Sequence, residues 1–206
     1  MDVLVPFDAI DPKRRLEPVL GADERRDFAE AMLADVLEAV AGGGGDPRVV
    51  ATADVRVAAP VDVDERPLSP AVNDRLARAD RPLAIVMADL PLATPTAIAR
   101  LLEASGPVVA VPGLGGGTNA LVVREPAFRV DYHGCSIRDH RERAAAVGTT
   151  LTTVDSYRLG VDVDEPADLA EVLLHAEGRA RAWLEAHGVR IVHADGRVSV
   201  ERSPGD

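Results

Sequence analysis

Asp89 closes the run Leu83-Ala-Ile-Val-Met-Ala-Asp89-Leu-Pro-Leu92, in which six apolar residues fit a buried strand and the seventh is a carboxylate. In open α/β sheets ligands bind beyond the carboxyl ends of the strands, and a carboxylate there can hold Mg²⁺ without the full cost of an unpaired buried charge. A helix cap or a turn before Pro91 is the plainer alternative. Two more acids stand in Gly160-Val-Asp162-Val-Asp164-Glu-Pro166. If Val161 to Val163 is extended, Asp162 and Asp164 share a side, because strand side chains alternate. They then repel unless a cation lies between them. Otherwise Asp164 helps to cap the following helix, with Glu165 at its positive end.

Cations and glycines complete the set. Lys13, the only lysine of the chain, stands with Arg14 and Arg15 in Phe7-Asp-Ala-Ile-Asp-Pro-Lys-Arg-Arg-Leu16. Three adjacent cations between a strand and a helix can grip a polyphosphate, arginine by forked hydrogen bonds and lysine as a compact charge. For Arg14 a solvated basic turn is the simpler reading. In Pro112-Gly-Leu-Gly-Gly-Gly-Thr-Asn119 the backbone can approach a ligand closely and its N–H groups can surround an anion. The loop has neither the lysine of a Walker A motif nor the spacing of a dinucleotide fingerprint, and it also reads as a plain hairpin loop. Gly42 to Gly45 reads as a helix exit.

Together these pieces describe a site for nucleotidyl transfer: cations for a triphosphate, acids for Mg²⁺ and glycines where acceptor or base enters. No nucleophilic Ser-His or Cys-His pairing is evident. None is needed if the acceptor is itself a phosphate, whose oxygen is already anionic near neutral pH.

The elements that must position them alternate between short β-runs and helical patterns, the signature of parallel βαβ units. Val3–Val5 is the first strand. Asp23 caps a helix with Phe28, Met32, Leu33, Val36, Leu37 and Val40 inward, and 49–53 is the second strand. Ser69-Pro70 reads as an N-cap with a first-turn proline, and Thr94-Pro95 repeats that signal. Val108–Val111, 120–123 and 150–154 are further strands, with a helix near 137–147. Glu165-Pro166 opens the last long helix, with Leu169, Val172, Leu173 and Leu174 inward. A hairpin around Ala194-Asp-Gly-Arg197 ends the chain.

The 206 residues suit a single domain, 1–206. The absence of a long apolar run or a signal pattern at the start points to a cytoplasmic protein away from membranes. One cysteine excludes an intramolecular disulfide and a multi-thiolate zinc site within the chain. A net charge of -11 argues against nucleic acid and anionic membrane as partners. Abundant Asp, Glu, Ala and Val with one lysine fit a halophilic source, where salt screens the acidic surface.

Five segments together resemble the archaeal form of the 2-phospho-L-lactate guanylyltransferase family of coenzyme F420 biosynthesis. They are Pro12-Lys-Arg-Arg-Leu16, Val86-Met-Ala-Asp-Leu-Pro-Leu92, Pro112-Gly-Leu-Gly-Gly-Gly-Thr-Asn-Ala-Leu121, Tyr132-His-Gly-Cys-Ser136 with His140, and Asp162-Val-Asp-Glu-Pro-Ala-Asp-Leu169. The resemblance covers nearly the whole chain and is most specific in the third and fourth segments. It implies a Rossmann-like nucleotidyltransferase fold, a mostly parallel sheet flanked by helices. It implies the reaction of GTP with 2-phospho-L-lactate, or phosphoenolpyruvate in related enzymes, to release pyrophosphate. It also implies a homodimer that passes its product to a separate transferase building F420.

By matched position Asp89, Asp162 and Asp164 become the Mg²⁺ ligands, and Lys13 and Arg15 the triphosphate contacts. Thr118, Gly134 and Ser136 surround the small acid, with Gly117 and Asn119 in the same loop. Asn73 lies where a base-facing asparagine fits. Ser69-Pro70 and Asp8 depart from the family pattern of Asn-Glu and lysine. Relatives acting on sugar phosphates or molybdopterin carry a glycine-rich loop after the first strand, and Phe7 to Pro12 has no glycine. A non-catalytic nucleotide-binding module is the rival from another class.

Overall fold

A computed structural model describes residues 1–194 and 197–202, apart from the side chains at 194 and 197. The strands are β1 (Asp2–Phe7), β2 (Asp46–Ala51), β3 (Val61–Val63), β4 (Leu83–Val86), β5 (Val108–Pro112), β6 (Thr118–Val123) and β7 (Leu151–Thr153), followed by the pair β8 (Val189–Ala194) and β9 (Arg197–Arg202). The helices are α1 (Ala22–Gly42), α2 (Leu68–Arg78), α3 (Pro95–Glu103), α4 (Ser136–Ala146), α5 (Tyr157–Gly160), α6 (Leu169–His175) and α7 (Arg179–Ala186). Short 3₁₀ turns occupy Arg14–Leu16 and Pro166–Asp168.

The first seven strands form one sheet in the order β3-β2-β1-β4-β6-β5-β7. Alternate residues feed two cores: Val3, Val5, Phe7, Ala84 and Val86 face one side, Leu4, Leu83 and Ile85 the other. Helices cover both faces, so the central strands are apolar throughout. The chain moves outward from β1 to β2 and β3, then returns to place β4 on the other side of β1. The switch point of the sheet therefore lies between β1 and β4.

β6 runs antiparallel to both β4 and β5, the exception within the mostly parallel sheet. Its five-residue connection is too short for the crossover that parallel neighbours require. Consequently the amino end of β6 reaches the edge where β1, β4 and β5 end.

Several local expectations are corrected. α1 is capped at Gly21, not Asp23, because the longer Glu24 side chain reaches back to accept the Gly21 N–H at 2.8 Å. α2 starts at Leu68 after Pro67, and Ser69, one residue inside it, turns its hydroxyl to accept the Tyr132 N–H at 2.9 Å. Thr94 does cap α3, accepting from Ala97 N at 3.2 Å with Pro95 next. β4 ends at Val86, three residues before Asp89, which lies in the following turn. The helical run after Glu165-Pro166 is short, and Leu174 is 46% exposed because it lies about 100° around the helix from the buried Leu173. It is followed by α7, which had no place in the sequence reading.

The terminal hairpin is present, with its expected Asp195-Gly196 turn outside the described residues. Arg202 straps it to Glu24 at 2.8 and 2.5 Å, and this contact, with the Gly21 N–H, holds the Glu24 carboxyl down at about 2. Among the described residues no helix is long and apolar enough to cross a membrane.

The amino end of α7 depends on buried Asp35 of α1, whose two oxygens accept Arg179 N at 2.7 Å and Ala180 N at 2.9 Å. A Cβ at Gly178 would stand 2.4 Å from that carboxylate, so only glycine admits the contact. Asp35→Ala is expected to lower unfolding free energy by about 1–2 kcal/mol, read as a lower urea midpoint at unchanged slope.

Candidate active site

The loop after β1 doubles back because Arg25, 8% exposed in α1, holds it at three points. Its guanidinium donates to Asp11 at 3.2 Å, to the Pro12 carbonyl at 3.4 Å and to the Leu20 carbonyl at 3.3 Å. Between these anchors Lys13 adopts φ 54°, the one positive φ outside glycine among the described residues. A non-glycine residue held there needs the surroundings to fix it, and such positions cluster at functional sites.

That conformation sends Lys13 Nζ across the switch point to Asp89 Oδ2 at 2.6 Å and Asp164 Oδ1 at 2.9 Å. Burial alone would lower the ammonium, but Asp89 and Asp164 outweigh it and raise Lys13 to about 12. Arg15 reaches the other Asp164 oxygen at 3.4 Å and is otherwise exposed. Arg14 pairs with Asp11 and faces solvent, as the plain reading of a basic turn expects.

Asp89, Asp162 and Asp164 each offer an oxygen within 4.8 Å of the others, the one such group of three potential ligands among the described residues. Val161 and Val163 are buried while the two acids face outward, although this segment joins no strand. Three supports hold the acids in place. Val163 N donates to the Asp89 carbonyl at 3.1 Å. Asp168 accepts the Asp164 and Glu165 amides at 2.8 and 2.7 Å. Asn119 Nδ2 donates to Asp162 at 3.1 Å. A Cβ at Gly113 would lie 2.5 Å from Asn119 Oδ1, so the glycine loop makes room for this contact.

Asp162 is raised above the usual carboxylate range, chiefly by burial, partly offset by Asn119 and pushed further by Asp89 and Asp164. Asp89 Oδ1 is buried without a hydrogen-bond partner. An orphaned oxygen beside two more carboxylates fits a hard divalent cation such as Mg²⁺, which takes oxygen ligands.

On the β6 side, Thr118 and Ser136 are each 3% exposed, with their hydroxyls 3.1 Å apart. Gly117 closes the hairpin by accepting Gly113 N at 3.0 Å, and Gly134 lies two residues before α4. Ser136 is the first residue of that helix, whose positive end favours an anion. Asn73 is committed to the backbone of Val130, donating to its carbonyl at 3.0 Å and accepting its N–H at 2.8 Å. It anchors the segment leading to Tyr132. Asp8 accepts from Ile10 N and Thr52 Oγ1, both at 3.1 Å, and lines a cavity of about 170 Å³ together with Lys13 and Asp89. A larger cavity of about 560 Å³ between α1, α3 and α7 includes Asp35, whose carboxylate α7 already occupies.

The family described as "Guanylyl transferase CofC like" matches residues 1–203. The chain belongs to that family. Within the CofC-like family, a protein of Halomicrobium mukohataei named 2-phospho-L-lactate guanylyltransferase is 61% identical over 202 residues, 98% of this chain and 100% of the relative. The chain is thus similar over its length to curated nucleotidyltransferases. Solved structures agree on the fold. A protein of Desulfovibrio desulfuricans G20 described as a nucleotide-diphospho-sugar transferase superposes with TM-score 0.71 at 14% identity, covering 90% of this chain and 94% of that one. The manganese complex of Rv0371C from Mycobacterium tuberculosis H37Rv gives TM-score 0.52 at 18% identity, covering 84% and 97%.

Three residues that carry the site were not picked out from sequence in these roles: Arg25, Asp168 and His140. Arg25 and Asp168 are charged helix-start residues with no local mark of their function. His140, fully buried, stood only within a matched segment. Burial first, then Arg143, lowers its pKa from 6.5 to about 4, against the pull of Asp131 and Asp139. Between these values the unfolded chain binds a proton that the folded one refuses, so stability falls as pH drops from about 6.5 to about 4. Linkage puts the total at roughly 3 kcal/mol, checked by urea midpoints across that window, with the slope flattened in His140→Phe.

Proposed function

We propose that the protein joins GTP to 2-phospho-L-lactate, yielding lactyl-2-diphospho-5′-guanosine and pyrophosphate on the route to coenzyme F420. The observation that carries the chemistry is the cluster of Asp89, Asp162 and Asp164 at the sheet's switch point, with an orphaned oxygen and a lysine already among them. Mg²⁺ held by these acids would neutralise the triphosphate and the incoming phosphate. Lys13 and Arg15 turn toward the β- and γ-phosphates, the charge that grows as pyrophosphate leaves. Thr118, Gly134 and Ser136 hold the acceptor at the amino end of α4, aimed at the α-phosphorus. One acceptor phosphate oxygen forms a bond to that phosphorus while the bond to the β-phosphate oxygen breaks, and no proton need move.

The name and 61% identity of the Halomicrobium relative support this acceptor, and the manganese complex of a structural neighbour supports a divalent ion. The protein works as a single-domain subunit of a homodimer in the cytoplasm of a halophilic archaeon, handing its product to the F420-building transferase. Asn73 acts on the crevice only through Val130, in the segment that leads to Tyr132.

The deciding assay is pyrophosphate release in concentrated KCl, with GTP, ATP, CTP and UTP each set against 2-phospho-L-lactate and phosphoenolpyruvate. GTP with 2-phospho-L-lactate is expected to give the highest kcat/KM. Preference for phosphoenolpyruvate would change the acceptor, and GTP binding without release in any pair would leave a binding module.

A further inference from the structure

Behind the acceptor side of the crevice, His140 of α4 is fully buried, its ring edge-on to Tyr132 at 5.1 Å and Phe128 at 5.9 Å between ring centroids. One ring nitrogen, Nε2, lies 3.0 Å from the backbone N of Asp131. The other, Nδ1, lies 3.0 Å from Thr118 Oγ1. A backbone N–H can only donate, so Nε2 must be the bare nitrogen, and in a neutral imidazole the proton then sits on Nδ1. Nδ1–H in turn donates to the Thr118 oxygen.

Thr118 Oγ1 also lies 3.1 Å from Ser136 Oγ, whose hydroxyl donates to it. With His140 and Ser136 both donating, the two acceptor positions of the Thr118 oxygen are filled. Its own hydrogen is then all it can offer to a ligand. If the shared hydrogen instead came from Thr118, Ser136 would hold the spare one. In either arrangement the pair is left with one hydrogen to give, at the amino end of a helix and one residue from Asn119, which holds Asp162.

We propose that His140 is a positioning residue that fixes the Thr118–Ser136 pair as a hydrogen-bond donor to an anionic oxygen of the acceptor. The inference rests on the guanylyltransferase reading, which places the acceptor at this pair. It goes further by naming the group that orients the pair: with the imidazole N–H and the Ser136 hydroxyl both on it, Thr118 Oγ1 itself can only donate, which matches a carboxylate or phosphate oxygen, while Ser136 Oγ keeps its lone pairs. Removing the imidazole N–H frees a lone pair on Thr118, so that hydroxyl can accept as well as donate and is no longer fixed as a donor to the acceptor.

Two measurements test this. In the unmodified protein, long-range ¹⁵N–¹H correlation of the imidazole should show a protonated Nδ1 and a bare Nε2; the opposite tautomer, or a doubly protonated ring at neutral pH, overturns the proposal. In kinetics, His140→Phe keeps a ring against Phe128 and Tyr132. It should raise the KM for 2-phospho-L-lactate about tenfold with the KM for GTP unchanged. In a Thr118→Val background the same change should add nothing further. An equal rise in that background, or a parallel rise in both KM values, overturns it. The tautomer reading decides the matter if His140→Phe does not fold. Absence of acceptor-dependent turnover in the unmodified protein would defeat the guanylyltransferase reading; normal turnover with the wrong tautomer or no coupling would defeat this proposal alone.

Discussion

Asp89→Asn should reduce GTP-dependent pyrophosphate release by about a hundredfold to a thousandfold, the loss expected when a fixed electrostatic partner of the reacting phosphates is removed. Asparagine is nearly isosteric but replaces one oxygen by an NH₂ that donates where a cation should be held. The substitution should leave the fold in place. The Asp89 backbone carbonyl, which receives Val163 N at 3.1 Å, is unchanged, and Lys13 keeps Asp164 at 2.9 Å. Circular dichroism and urea midpoint should therefore stay near those of the unmodified protein while turnover collapses. Retained turnover would take Asp89 out of the metal set and leave Asp162 and Asp164 to carry it.

Lys13→Met should act in two opposite directions. Turnover should fall by about a hundredfold, because the compact charge facing the leaving pyrophosphate is gone. Binding of Mn²⁺ to the nucleotide-free protein should become at least about tenfold tighter. The ammonium stands 2.6 and 2.9 Å from two of the three carboxylates, so a divalent ion on the same oxygens must either displace it or bear its repulsion. Two like charges a few ångströms apart near a protein surface repel by up to about 4 kcal/mol, of which a flexible side chain can relieve a large part. Electron paramagnetic resonance titration of Mn²⁺ reads this without turnover. Equal affinity in the two proteins would show that the lysine does not compete. If it does compete, metal and triphosphate enter best together, since the triphosphate gives the ammonium somewhere to go.

Much of this architecture was legible in local pattern. The stripe Phe28, Met32, Leu33, Val36 and the Thr94-Pro95 start signal are contained within a few residues, and so they were found. The same holds for the alternation that puts Asp162 and Asp164 on one side, since Val161 and Val163 mark the buried side between them. What failed to show was set by partners far away. α7 begins where it does because Asp35 caps it from 144 residues earlier, and nothing near Gly178 announces that. Lys13 was read as a triphosphate contact, and nothing near it in the chain announces that its left-handed backbone, clamped by Arg25, carries it into contact with the acids. For β6 apolar content says nothing of direction; the loop before it reads both as a ligand cradle and as a plain hairpin, and its five residues allow only the reversed strand.

That reversal divides the labour of the crevice. Lys13 and Asp89 follow strands that end at the crevice, and each is tied to its neighbours by helical crossovers whose length and handedness are hard to alter. Thr118 and Asn119 instead arrive on a returning hairpin arm, closed by a few glycines, that can be lengthened, shortened or refaced without rethreading a helix. Under the proposed function, the half assigned to the nucleotide is thereby built for permanence and the half assigned to the acceptor for replacement. If that assignment holds, a protein of this shape would exchange one small phosphorylated acid for another by remodelling a single loop.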